Sequence, residues 1–502
     1  MNLFNRFEYV LKADLEREFL LAENDDKFTC ADILGLTAQY TNLLKELGAK
    51  PGDRITVQLY KSVENMCLYF AALQGGFVFH PLNPAYTPGE VSYFIGNAEP
   101  SIIVCDPAKL AAMQALADEY GVLHVETLSQ DGTGSLTDKA KIQSSSFKTQ
   151  IRAGDDLAAL LYSSGTTGRP KGIMLSHDNL RLNAESLVQA WGFTAKDRLL
   201  HCLPIFHVHG LFVAIGCAVL SGASMRWVNK FSPETAKKFL PECSSMMGVP
   251  TYYTRLLDDP EFTKDHCQNM RLFTSGSAPL LVETHESFLE RTGHVILERY
   301  GMTETGMNCS NPLKGERKAG TVGPPLPGVE ARIVDNVGKP TPLGEVGNLQ
   351  VRGENVFRGY WRMPEKTAED FEDDGFFNTG DQATLDEDGY VSIVGRSKDM
   401  VITGGLNVYP KEIEDVLDEM VGVLESAVIG VPHPDFGEAV VAVIVPMAGQ
   451  KPDLESIRVN CKTSLANFKV PKHISERPEL PRNTMGKVQK KALREEHEGL
   501  FS

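Results

Sequence analysis

Leu157-Ala158-Ala159-Leu160-Leu161-Tyr162 runs into Ser163-Ser164-Gly165-Thr166-Thr167-Gly168-Arg169-Pro170-Lys171-Gly172, and the chain resumes apolar at Ile173-Met174-Leu175. The first run reads as a short buried strand that empties into a loop, and the last as the strand leaving it. Between them stand only hydroxyl residues, glycines, one proline and two cations. Glycine lets backbone N–H groups approach an anion closely, hydroxyls donate hydrogen bonds, and lysine adds positive charge. A polyphosphate needs all three. The loop is not the G-x-x-x-x-G-K-[ST] loop of NTPases, whose lysine opens a helix, because Gly172 and an apolar run follow Lys171. On composition alone a flexible Gly/Ser hairpin that binds nothing stays open beside the phosphate reading.

Working outward, strands and helices alternate. Ile55–Leu59, Val78–Leu82 and Ser101–Cys105 read as strands, and Thr29–Leu47, Glu64–Gly75 and Leu110–Tyr120 as helices. Beyond the loop the alternation resumes: helix over Asp178–Trp191, strand over Arg198–Cys202, an apolar helix over Leu211–Leu220, and strands over Ser224–Val228, Ser245–Val249, Arg271–Thr274 and Val295–Tyr300. Such alternation argues for parallel sheets with helices on their faces. From about Pro324 short alternating runs between Gly, Pro and Asp turns predict a β-rich subdomain. Past Arg396 the texture changes again, to a compact α+β unit of about a hundred residues, long enough to be a domain. The expectation is a large domain over 1–396, with the β-rich part at about 324–396, and a small mobile domain over 397–502.

At 502 residues with 42% hydrophobic and 23% charged residues the composition is that of a globular protein. A net charge of −16 disfavours nucleic acid and anionic membranes as partners, so an anionic substrate requires a local basic pocket. Nine scattered cysteines without C-x-x-C suit a reducing compartment better than a zinc site or a disulfide framework. Without a secretory or transit pattern or a long apolar run, the simplest location is the cytoplasm.

The order Ser-Ser-Gly-Thr-Thr-Gly-x-Pro-Lys-Gly resembles the signature loop of the adenylate-forming superfamily of acyl-CoA synthetases, luciferases and adenylation domains. Four more stretches match that family in its order: Tyr300-Gly301-Met302-Thr303-Glu304, Tyr360-Trp361 to Thr379-Gly380-Asp381, Gly395-Arg396-Ser397-Lys398-Asp399, and Pro481-Arg482-Asn483-Thr484-Met485-Gly486-Lys487. Alone, Glu304 reads as a turn carboxylate, Asp381 as a turn former and Lys487 as a solvated lysine.

The resemblance implies that Ser163 to Lys171 hold the β- and γ-phosphates of ATP, with Thr166 and Glu304 as Mg²⁺ ligands. It also puts Ser277, Ala278, Pro279, Glu298, Tyr300, Gly301, Met302 and Thr303 beside the nucleotide, Asp381 on its ribose, and Arg396 on the ribose and phosphate side. Lys487 would stabilise charge at the carboxylate and α-phosphate, Lys398 would be the hinge, and His207 would gate the acyl pocket. Gly404, Gly405 and Leu406 would face CoA, with Lys469 and Lys472 either on its phosphates or simply solvated. A carboxylate would attack the α-phosphorus of MgATP, release pyrophosphate, and pass to the CoA thiol after the small domain rotates.

Three runs carry the acid: Gly248-Val249-Pro250-Thr251, Thr254-Arg255-Leu256-Leu257 and Glu298-Arg299-Tyr300. Within the superfamily they resemble the malonyl-CoA synthetases, where an arginine matching Arg255 holds the distal carboxylate of malonate or methylmalonate. Arg299 is a second candidate, with Ser277 beside it. On residue physics alone Arg255 is a surface helix residue. The resemblance makes it an inward arginine whose loss would cost several kcal/mol of transition-state stabilisation. The expected function is an ATP-dependent malonate–CoA ligase. The alternatives are a synthetase for another short or aryl acid and an inactive nucleotide-binding regulator, the latter expected to have lost Glu304 or Lys487. An exposed Lys487 would also be open to regulatory acylation.

Overall fold

The structure, a computed structural model, describes residues 1–163, 170–404, 406–483 and 486–501. The chain divides into two compact units. The first comprises Met1–Ala319, Pro324–Glu330 and Arg352–Phe371, and the second Gly320–Gly323, Ala331–Val351 and Glu372–Ser502.

The first unit contains two sheets. A six-stranded sheet runs in the order His124–Thr127, Ile102–Cys105, Arg54–Gln58, Val78–Pro81, Leu157–Tyr162, Gly172–Ser176. It is parallel except for the last pair, an antiparallel hairpin with Tyr162 opposite Gly172. The eight-stranded sheet runs Gly306–Ser310, Leu297–Met302, Leu272–Ser275, Ser245–Gly248, Arg198–His201, Ser224–Trp227, Glu18–Ala22, Lys27–Thr29. Its interior is parallel and both edge pairs are antiparallel. The expected α/β layers are therefore present, and the antiparallel edges are what alternation alone did not announce.

Local chemistry accounts for the helices. Thr29 caps Cys30–Glu46 in a reciprocal box with Asp32, and Ser176 caps His177–Ala190 in the same way with Asn179. Val63–Gly75 is buried along nearly its whole length, as suits a helix apolar on every side. The apolar helix expected over Leu211–Leu220 differs in kind: His209–Ala214 forms a π-helical turn before Ile215–Ser221 continues as an α-helix. Gly210 permits this turn, since a Cβ there would lie 2.1 Å from the Pro204 carbonyl oxygen. Periodicity cannot register such a turn, because its cause lies in a neighbouring segment.

In the second unit a four-stranded sheet follows chain order, Val329–Val334, Gly347–Gly353, Phe377–Leu385, Val391–Arg396. A five-stranded sheet places Leu406–Val408, Val401–Thr403, Gly437–Pro446 and Val423–His433 in sequence, with His473–Glu476 parallel to Gly437–Pro446. Its side chains alternate between two cores. Val428, Val440, Ala442 and Ile444 pack with Ile413 and Leu417 of helix Pro410–Asp418 and with Ile457 of helix Leu454–Ser464. Ile429, Val431, Val441 and Val443 pack with Leu493 of helix Lys490–His497. Period-2 patterning with both faces buried reads as a continuous apolar run, which is how Ala439–Val445 appears.

Candidate active site

Each candidate segment of the first unit leaves the carboxyl end of a strand, which is where open α/β sheets bind ligands. The Ser163–Lys171 loop is closed at its base by a bond from Ser163 N to Lys171 O of 3.0 Å. Ser164, Gly165, Thr166, Thr167, Gly168 and Arg169 lie outside the described residues. Tyr93 donates to the Pro170 carbonyl at 2.7 Å. The returning strand is flanked by residues 358–361, through Met174 N to Gly359 O at 3.1 Å and Trp361 N to Gly172 O at 2.7 Å. This brings Tyr360 to Lys171, whose Nζ lies 4.1 Å from the ring centroid and 3.7 Å from an Asp370 carboxylate oxygen.

Glu304 sits in the tight turn joining Leu297–Met302 to Gly306–Ser310, and it is 7% exposed. Gly301 is required there, because a Cβ would meet the Gly306 carbonyl oxygen at 2.0 Å. Tyr300, Met302 and Thr303 stand half-buried around it, and Phe357 N donates to the Glu304 carbonyl at 2.7 Å. Burial, followed by Glu304 and Asp370, pushes the Tyr360 hydroxyl well above its usual pKa. Lys171, Glu304 and Asp370 therefore gather around one ring, and Asp370 carries no motif that could have announced it.

Against the Gly276–Ser277 backbone, Arg299 is a buried cation. It is 2% exposed, and its Nε and Nη2 have no hydrogen-bond partner among the described residues. Burial pushes its pKa down to about 10, which leaves it protonated at neutral pH. The Gly276 backbone lies against the guanidinium; a Cβ there would stand 2.4 Å from Nη1. Ser277 has φ of 74°, a strained value for a non-glycine residue, and its Oγ is 3.4 Å from His209 Nδ1. His209 is buried, and burial, then Arg299, keeps it neutral. His207 is half-buried and accepts from His209 N at 3.4 Å. Ala278 is half-buried and Pro279 exposed. Glu298, pointing away from Arg299 along the strand, accepts from Leu280 N at 3.2 Å and so anchors the loop that carries Ser277.

Arg255 is placed differently. Helix Pro250–Asp258 buries Tyr253 and Leu256 and leaves Arg255 exposed, without a hydrogen bond or ion pair to the described residues. The arginine turned inward is Arg299. The helix explains why: Arg255 falls on the face opposite Tyr253, whose hydroxyl bonds the Thr274 carbonyl at 2.6 Å.

In the second unit Asp381 and Arg396 are cross-strand partners, joined by an ion pair of 2.6 Å, with Asp381 4% exposed at its side chain. Lys398 follows directly, and burial, then Arg396, pulls its pKa down. Lys487 closes a turn: Asn483 N donates to Lys487 O at 2.9 Å, and Lys487 N returns to Asn483 Oδ1 at 3.0 Å. Gly404 and Leu406 are exposed at the tip of hairpin Val401–Val408, and Gly405 lies outside the described residues.

The AMP-binding enzyme family matches residues 7–361, and the C-terminal domain of AMP-binding enzymes matches 412–487. The chain belongs to the AMP-binding enzyme family. A malonate–CoA ligase of Arabidopsis thaliana is 35% identical over 488 residues, covering 91% of this chain and 80% of the relative. The mitochondrial malonate–CoA ligase of Mus musculus is 36% identical over 488 residues, covering 89% and 82%. Among solved structures, ATP-bound MatB from Rhodopseudomonas palustris shares 51% identity over the full length of both chains at a TM-score of 0.98. Lys171, Tyr360 and Glu304 form one cluster, a candidate phosphate side for an AMP-binding enzyme. A buried carboxylate with no group of three or more acidic, His or Cys ligands among the described residues suits Mg²⁺, which arrives with phosphate and water ligands of its own.

Proposed function

We propose that this AMP-binding enzyme is an AMP-forming malonate–CoA ligase that accepts methylmalonate as a secondary substrate. The observation that carries the reading is Arg299, a buried cation with two donors unmatched among the described residues, beside Ser277. A monocarboxylate would leave that charge buried and uncompensated, which is costly, whereas the distal carboxylate of malonate pairs with it bidentately. The similarity to two malonate–CoA ligases supports the same acid.

In this reading Ser163 to Lys171 bind the β- and γ-phosphates. Lys171 leaves its resting contacts with Tyr360 and Asp370 for the anion, and Glu304 with Thr166 would hold Mg²⁺, which would supply charge neutralisation at the phosphates. Ser277 to Pro279 and Glu298 to Thr303 shape the nucleotide and acyl side, with His207 as the gate. Asp381 receives the ribose hydroxyls, Arg396 supports it, and Lys487 neutralises charge at the reacting carboxylate and α-phosphate. Arg255 meets the acid as a solvent-side cation. After adenylation the C-terminal part turns about Lys398 and presents Gly404, Gly405 and Leu406 to CoA. Domain limits of 1–396 and 397–502 follow from that hinge. The nine free, buried cysteines support a reducing compartment, the cytoplasm in this proposal; no helix among the described residues is long and apolar enough to cross a membrane. Lys487 is also proposed as a site of regulatory acylation, which would stop adenylation.

The test is AMP release with ATP, Mg²⁺ and CoA against malonate, methylmalonate, succinate, acetate, butyrate and coumarate. Preference for malonate, with methylmalonate behind it, is the expected outcome. Preference for a monocarboxylate would remove Arg299 from acid recognition, and silence with every acid would return the chain to nucleotide binding alone.

A further inference from the structure

Lys61 lies in the turn between strand Arg54–Gln58 and helix Val63–Gly75, is 6% exposed, and has no carboxylate within ion-pair distance among the described residues. Burial pulls its pKa down to about 7, so the charged and neutral amine coexist near neutral pH, and without a counter-ion Lys61 in either form needs other polar partners. It has three: the His201 carbonyl at 2.8 Å, the Val228 carbonyl at 2.7 Å, and His201 Nδ1 at 2.8 Å. These acceptors match its three donors. The Trp227 ring adds a cation–π contact at 4.2 Å, and the His201 ring stacks on that indole at 4.7 Å. Lys61 thus ties the turn of the six-stranded sheet to the carboxyl ends of two strands in the eight-stranded sheet.

The consequence runs through His201. With Nε2 against the Gly210 carbonyl at 2.9 Å, which can only accept, and Nδ1 against Lys61 Nζ, the proton sits on Nε2 and Nδ1 accepts from the lysine. Gly210 is the second residue of the π-helical turn His209–Ala214. Such turns hydrogen-bond less favourably than an α-helix and concentrate at functional sites, so an outside donor to this carbonyl decides where the turn sits. The preceding residue, His209, is the one that meets Ser277 and feels the charge of Arg299.

We propose that Lys61 is a positioning residue for the acid-binding side of the site: by fixing the place of His201, it holds the His207–Gly210 segment against Ser277. The inference rests on reading that segment as the acyl side. Lys61 touches no substrate in this scheme, and nothing in its sequence surroundings marks it.

The experiment uses the full chain carrying Lys61→Met, His201→Gln, or both. AMP release is measured against the acid the wild-type enzyme prefers, whichever that is, so an incorrect choice of acid fails in the wild type before any variant is compared. Each single variant should raise KM for the acid about tenfold and change KM for ATP less than about twofold, and the double variant should be no worse than the worse single, as expected of groups acting in one chain. Melting temperatures are recorded alongside. Unchanged KM for the acid with only a lower Tm would reduce Lys61 to a structural staple and overturn the inference. KM values for acid and ATP rising together, or additive effects, would overturn it equally. Should Lys61→Met not fold, His201→Gln retains the lysine and its own KM split decides.

Discussion

Strand Leu297–Met302 and helix Pro250–Asp258 each carry an arginine that is a candidate for reading the acid, and the two are built in opposite ways. Arg299 is 2% exposed, with donors unmatched by the described residues and the Gly276 backbone laid against it. Arg255 stands in solvent, on the face of its helix away from Tyr253. A buried charge is expensive to keep and strong when met; an exposed one costs nothing and contributes little, because water screens it. The proposed function accordingly assigns specificity for a second carboxylate to the first kind of arginine, and attraction or late closure to the second.

The sharpest way to break the comparison is Arg299→Leu. Activity with malonate should fall on the order of 100-fold in kcat/KM while KM for ATP holds. Tm should stay level or rise, since an uncompensated buried charge has been replaced by an apolar side chain. A stable protein with unchanged malonate kinetics would end the assignment. Gly276→Ala tests the same guanidinium indirectly. The new Cβ would overlap it, and displacement should raise KM for malonate about tenfold, read beside KM for ATP. Arg255→Ala comes third, with about a fivefold loss rather than the several kcal/mol its resemblance suggested, because the group is solvated. A loss exceeding that of Arg299→Leu would mean that the helix closes over the acid and would reverse the roles.

The smallest effect is a control in the second unit. Burial raises the Asp418 pKa to about 7, with Glu414 and Asp415 adding to the shift and Ser426 and Lys411 opposing it. A carboxyl whose folded pKa exceeds its unfolded value favours the fold while protonated. That contribution is full below about pH 4 and is lost as pH climbs through 7. Asp418→Asn should therefore match wild type in Tm at pH 4 and exceed it at pH 8, and an equal gap at both values would show that burial there is harmless. Arg299 is protonated across that range and should show no such crossover.

Order and spacing made the family legible. Five motifs in register identify the chemistry, and the strand-helix alternation placed the elements it found within a residue or two, as in helix Leu110–Tyr120, while strands Glu18–Ala22, Lys27–Thr29, His124–Thr127 and Gly306–Ser310 went unread. Motif patterns are local, and so are caps such as Thr29 with Asp32. Asp370 beside Lys171, the π-helical turn at Gly210, and Lys61 beneath His201 were not legible, since each depends on a partner outside its own element, from Pro204 and His201 close by in the chain at Gly210 to Asp370 far along it at Lys171. The same limit explains the two arginines. Both stood in the sequence as candidates, and nothing in a one-dimensional pattern says which is desolvated.

The amino-acid sequence by itself therefore determined the family, the layered α/β scaffold and the residue types available for phosphate, metal and carboxylate, because glycine permissiveness, hydroxyl donors and apolar periodicity are properties of short segments. Tertiary structure alone decided which arginine is buried, which carboxylates gather around Tyr360, and which histidine Lys61 holds. Burial and hydrogen-bond pairing are set by segments distant in the chain, and burial is what turns an ordinary charge into a selective one.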